Sequence, residues 1–128
     1  MTPVEFRRHL HRHPELSFRE TESARFIAEA LREAGIPCRP IAGTGVLAKI
    51  EGRGDLRRAV VLRADIDALP IREQSGAAWS SENDGVMHAC GHDIHAAVLY
   101  GPLLRLSAER NFEGTLFGIF QPGEESNP

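Results

Sequence analysis

Three consecutive segments constrain the fold of this chain more than any other feature. Ala59-Val60-Val61-Leu62-Arg63-Ala64 is a short apolar run of the kind found in a buried strand. Asp93 to Arg110 reads as a helix, with Asp93 placed to cap its start. Gly114-Thr115-Leu116-Phe117-Gly118-Ile119-Phe120 is a second apolar run. A strand, a helix and a strand in that order predict a parallel pair joined by a right-handed crossover. Pro102 falls inside the helix and must remove one ladder bond, so a kink or break is expected there.

The rest of the chain fits around that unit. Residues 3–12 read as a short polar helix that tolerates Pro3 in its first turn and is ended by Pro14. A second helix is expected from Arg19 to Ala34, with Ala24, Ile27, Ala28, Leu31 and Ala34 on one face and Gly35 as its stop. Gly45 to Ile50 reads as a further strand bounded by glycine. The expected class is α/β. At 128 residues with no linker or repeat, the chain reads as a single domain. Chemistry-bearing residues fall at strand ends and at a helix N-terminus, where open α/β sheets place their sites.

Met87-His88-Ala89-Cys90-Gly91-His92-Asp93-Ile94-His95 packs a thiol and three imidazoles into one short stretch, and Gln121-Pro122-Gly123-Glu124-Glu125 adds two adjacent carboxylates. Sulfur, nitrogen and oxygen donors together suit Zn²⁺, Mn²⁺ or a neighbouring divalent ion. Cys90 and His92, two apart across Gly91, can reach one ion if the backbone is extended or tightly turned, and Gly91 eases such a turn. A buried cysteine beside a structural histidine is the bland alternative, which the flanking His88 and His95 disfavour. Asp93 either caps the helix or holds a ligand imidazole. Glu124-Glu125 alone would pass for a solvated acidic turn. After an apolar strand, and beside the Cys-His stretch, the pair suggests a base adjacent to a ligand. Alternation puts Arg63, Asp65 and Asp67 on one strand face, either as an ion-pair network or as support behind a metal cluster. His9, His11 and His13 cannot all face one ion from a helix and read as exposed or capping residues. Trp79 and Tyr100 read as packing residues.

Composition excludes several classes. A net charge of −3, with basic residues scattered along the chain, gives no electrostatic footprint for nucleic acid or an acidic membrane surface. No apolar run reaches transmembrane length and Met1 to Glu5 lacks a signal-peptide core, so the expected address is the cytoplasm. A reducing compartment disfavours a Cys38–Cys90 disulfide.

Four ordered motifs carry a family resemblance: Arg8 to Leu16, Leu62 to Pro70, His88 to Asp93, and Gln121 to Glu125. Together they resemble the hippurate hydrolase and N-acyl-amino-acid amidohydrolase branch of the dinuclear metallopeptidases. That superfamily also includes acetylornithine deacetylase and carboxypeptidase G. The resemblance implies the N-terminal part of a zinc-peptidase-like catalytic domain, with a largely parallel central sheet flanked by helices. It implies Cys90, His92 and Glu125 as metal ligands, Glu124 as the general base, and Asp67 as the aspartate that supports the site. The wider family has His-x-Asp where this chain has Asp65-Ile66-Asp67, and Cys90 looks like the replacement donor. The cofactor implied is two divalent ions per complete site, Zn or Mn, and the substrate is a small N-acyl amino acid. Full-length members form homodimers. Residues 1–128 match only the N-terminal portion, so the dimerisation domain and the C-terminal catalytic segment are expected to be absent. Two rival expectations are a catalytically incompetent fragment, acting at most as a binding piece, and an enzyme with Cys90 as nucleophile.

Overall fold

The structure, a computed structural model, describes residues 1–126. Helix α1 spans Pro3–Arg12 and opens with a capping box. The Glu5 N–H donates to Thr2 Oγ1 at 3.2 Å, and the Thr2 N–H donates to Glu5 Oε2 at 2.8 Å. Helix α2, Thr21–Glu33, buries Ser23, Ile27, Ala30 and Leu31. The stripe is therefore rotated from the expected one: Ala24 and Ala28 are only partly buried, and Ala34 is exposed. Helix α3, His92–Glu109, runs through Pro102 without a break. Its cap is Gly91, in the left-handed region at φ 88°, and not Asp93. Asp93 instead turns inward and is fully buried.

Four strands form one sheet: β1 Cys38–Ile41, β2 Gly45–Glu51, β3 Ala59–Asp65 and β4 Thr115–Gln121, in the order β1-β2-β4-β3. The β3–β4 pair is parallel, as the strand–helix–strand order requires, with Ala59 opposite Thr115 and Asp65 opposite Gln121. The β1–β2 and β2–β4 pairs are antiparallel. The α/β class holds, but the sheet is mixed where a largely parallel one was expected. The reason is that β2 runs against β4, and that β1, a four-residue edge strand missed from the sequence, tolerates Pro40 and hairpins directly onto β2.

The hydrophobic core lies between one sheet face and the helices. Val46, Ala48, Ile50, Ala64, Leu116 and Phe120 meet Phe6, Leu10, Ile27, Leu31, Tyr100 and Leu103 there. Phe6 stacks on Tyr100 at a centroid distance of 4.2 Å. Gly118 belongs to the same face because Leu103 fills its side-chain space: a Cβ would lie 2.8 Å from Leu103 Cδ1. The opposite face leaves Leu47, Phe117 and Ile119 half-buried and Val61 exposed. Among the described residues, no helix is long and apolar enough to cross a membrane.

Candidate functional site

Parallel pairing brings the C-terminal ends of β3 and β4 to the same edge, beside the start of α3. The Ile66 N–H donates to the Gln121 carbonyl at 3.0 Å, extending the pairing past the strand ends. From there β3 leads into Asp67, and β4 leads into the Gly123–Ser126 turn that carries Glu124 and Glu125. Donor atoms of Cys90, His92 and Glu125 all lie within 4.8 Å of one another.

The tautomer of His92 follows from its neighbours. Its Nδ1 lies 2.9 Å from the Asp67 carbonyl and 3.0 Å from Asp67 Oδ1, both of which only accept. Nδ1 therefore carries a proton, and in the neutral ring the lone pair sits on Nε2, facing outward. That lone pair lies 3.7 Å from Glu124 Oε2 and 3.7 Å from Glu125 Oε1. Two carboxylates and an imidazole nitrogen converge there, with the Cys90 thiol against Glu125. Such a set could hold a cation.

Asp67 is nearly inaccessible, and its environment favours the charged form. Burial pushes its carboxyl up, but hydrogen bonds from the Glu125 N–H and the Ser17 hydroxyl outweigh this and hold it below the usual aspartate value. The Cys90 thiol is pushed up to about 11, chiefly by its interaction with Glu125 and further by burial and the nearby carboxylates. A metal-free thiol there stays protonated at neutral pH, whereas a bound cation would reverse that balance.

A second group, Asp65, His92 and His95, also places its donor atoms within 4.8 Å. Here the negative charge is already met: Arg63 donates to Asp65 Oδ1 at 2.7 and 3.1 Å. His95 Nδ1 lies 3.4 Å from Asp65 Oδ2, with its side chain half-exposed. The expected strand-face network of Arg63, Asp65 and Asp67 is thus divided. Arg63 pairs with Asp65, and Asp67, beyond the end of β3, serves His92.

The N-terminal histidines also divide. His9 stacks on Phe26 at 3.7 Å, and His13 lies 3.9 Å from Glu82. His11, expected to be exposed, is buried: its Nδ1 is 2.8 Å from Asp93 Oδ2 and its Nε2 is 3.0 Å from Glu73 Oε2. Arg7 closes the cluster on Asp93 at 2.7 Å. Asp93 therefore neither caps α3 nor holds His92. Burial pushes Glu73 up, but hydrogen bonds from Ser75, His11 and the Ser81 N–H bring it down to about 2. His88 is 4% exposed, neither ring nitrogen has a partner, and burial lowers it to about 4. Arg8 covers the Trp79 ring at 4.0 Å. Sequence reasoning missed Ser17 and Glu20, which carry no metal-ligand or base signature and reveal their contacts only in the folded chain.

Comparison with known proteins adds four matches. The model of peptidase family M20/M25/M40 matches residues 61–128. The N-acetyl-L-cysteine deacetylase of Bacillus subtilis (strain 168) is 47% identical over 125 residues, covering 96% of this chain and 30% of that protein. The N-acyl-L-amino acid amidohydrolase of Geobacillus stearothermophilus is 43% identical over 127 residues, 98% of this chain and 34% of its own length. Among solved structures, the Bacillus subtilis YXEP protein, described as a dinuclear metal-binding peptidase from the M20 family, superposes with a TM-score of 0.92. It is 46% identical, over 96% of this chain and 35% of that one. This chain spans about a third of the length of the curated relatives it matches.

Proposed function

The chain belongs to peptidase family M20/M25/M40, and from that premise we propose that it is the N-terminal portion of the catalytic domain of a metal-dependent amidohydrolase. The substrate class is N-acyl amino acids, either N-acetylated or hippurate-like. The observation that carries this reading is the convergence of Cys90, His92 and Glu125 into one set of potential ligand atoms, with Glu124 beside it. The names of the relatives, a deacetylase and an amidohydrolase, agree with it.

Cys90, His92 and Glu125 would hold the ion. A divalent cation bound there supplies a Lewis acid for the acyl carbonyl and lowers the pKa of water. Asp67 fixes the His92 tautomer so that Nε2 stays available. Glu124 is offered as the general base: its side chain is 39% exposed and therefore open to substrate water. In that role it takes a proton from the attacking water and returns it to the leaving amine as the amide C–N bond breaks. The two ions per complete site, Zn or Mn, the homodimeric assembly and the cytoplasmic address belong to the same proposal. Cys90 as nucleophile is disfavoured, since its surroundings hold the thiol protonated.

The deciding experiment uses a protein extended to the length of the curated relatives. It should release amino acid from N-acetyl-amino acids or from hippurate. Chelation should abolish this, and Zn²⁺ or Mn²⁺ should restore it. Activity that survived exhaustive chelation, or that thiol alkylation removed without loss of metal, would refute the reading.

A further inference from the structure

Glu124 stands in a turn closed by the Ser126 N–H donating to the Gly123 carbonyl at 3.2 Å. The residues on either side of it are held through their backbone amides by buried carboxylates from distant parts of the chain. On one side, Asp67 Oδ2 accepts the Glu125 N–H at 2.8 Å. On the other, Glu20 Oε1 accepts the Gly123 N–H at 2.8 Å. Glu20 is fully buried, and among the described residues it forms no salt bridge. Its remaining capacity is met by the Phe18 N–H at 2.9 Å and by the Thr44 hydroxyl. A buried carboxylate without a counter-charge is costly to keep, so a role that only filled volume would be better served by an apolar side chain.

The local backbone supports a specific role. Gly123 is left-handed at φ 67°, and a Cβ there would meet the Phe18 ring at 2.3 Å. Phe18 itself has φ 61°, a conformation uncommon for a bulky residue and held only where the surroundings over-determine it. In the same short segment, Ser17 donates to Asp67 Oδ2 at 2.8 Å. Residues 17–20 thus form one strap that reaches both amide clamps.

We infer that Glu20 is a positioning residue. Its buried carboxylate holds the Gly123 amide and so sets the backbone from which Glu124 presents its own carboxylate, with Asp67 acting in the same way from the Glu125 side. This rests on the reading of Glu124 as general base. A displacement of about 1 Å at such a group costs about 10²-fold in rate.

The test compares Glu20→Gln and Glu20→Asp in the protein extended to the length of its relatives. Glutamine keeps Oε1 as acceptor for both amides, and its NH₂ can donate to the Thr44 oxygen, so kcat should stay close to that of the parent. Aspartate is one methylene shorter and cannot reach Gly123 from the same backbone. There kcat should fall about 10²-fold, with KM and bound divalent metal unchanged. Exchange of the Gly123 amide should be slow in the parent and in Glu20→Gln but fast in Glu20→Asp. Parent-like kcat in Glu20→Asp overturns the inference. So does a loss shared with metal content or KM, or equal damage in Glu20→Gln. If Glu20→Asp does not fold, Thr44→Val decides: it frees Oε2 alone, and kcat should fall less but at constant KM, an unchanged kcat being the contrary result. A parent inactive on N-acyl amino acids would remove the amidohydrolase reading instead, and Gly123 exchange would still report whether Glu20 holds the turn.

Discussion

At the scale of single residues, neighbouring groups near the site should fail in different ways. Cys90→Ser replaces a soft donor with a neutral hydroxyl, and metal affinity should fall by more than the roughly 10–100-fold typical of changes behind the ligands. Isothermal titration with Zn²⁺ checks this, and unchanged affinity would exclude Cys90 as a ligand. Glu124→Gln should retain metal and lose about 10²–10⁴-fold in kcat. Glu125→Gln should lose metal and turnover together, which elemental analysis of both purified variants would separate. That Cys90, His92 and Glu125 come together was legible in the sequence, because thiol, imidazole and paired carboxylates in tight spacing are rare outside sites. Ser17 and Glu20 were not legible. Their contacts to Asp67 and Gly123 are made across long sequence separations, and nothing local marks a serine or glutamate as an amide clamp.

At the scale of elements, the helices and the three strands β2, β3 and β4 were readable from period and from glycine and proline punctuation. What escaped depends on tertiary partners. β1 is too short and polar to register, yet pairing with β2 makes it a strand. Asp93 has the profile of a cap, but Arg7 and His11 on α1 draw it inward. The join between these elements should be sensitive to acid. His88, lowered from 6.5 to about 4, stays neutral in the folded state but is readily protonated when unfolded. Its contribution is complete above pH 6.5 and is lost as pH falls toward 4, on the order of 3 kcal/mol. Glu73 is depressed from 4.5 to about 2, so its contribution is lost at still lower pH, from 4.5 downward. Urea denaturation at steps from pH 7.5 to 4 should show stability falling across the His88 window. His88→Phe, which removes no hydrogen bond, should flatten the slope, and an unchanged slope would show that another group is responsible. Gly118→Ala, driven against Leu103, should cost about 1–3 kcal/mol at any of these pH values.

At the scale of the whole molecule, exposed apolar surface bears on how these 128 residues behave alone. β3 is an edge strand among the described residues, with Val60 and Val61 60% and 54% exposed, and α3 exposes Ile94 and Val98. An apolar, unpaired edge invites association. Sedimentation of the 128-residue polypeptide should therefore depend on concentration, and Val61→Lys should shift it toward monomer; a sharp monomer in the parent would count against this. With three candidate protein ligands it should also bind metal weakly and leave hippurate intact. The parallel pairing of residue 59 with residue 115 has one more consequence, in the order of assembly. Cys90 and His92 are neighbours in sequence and can bind a soft cation in the unfolded chain, whereas Glu125 joins them only once β4 docks beside β3. Such non-local pairing forms slowly. An ion present during synthesis can thus occupy the thiol and imidazole before the carboxylates arrive, stabilising the unfolded chain. Refolding with Zn²⁺ present from the outset should be slower than refolding with Zn²⁺ added at the end.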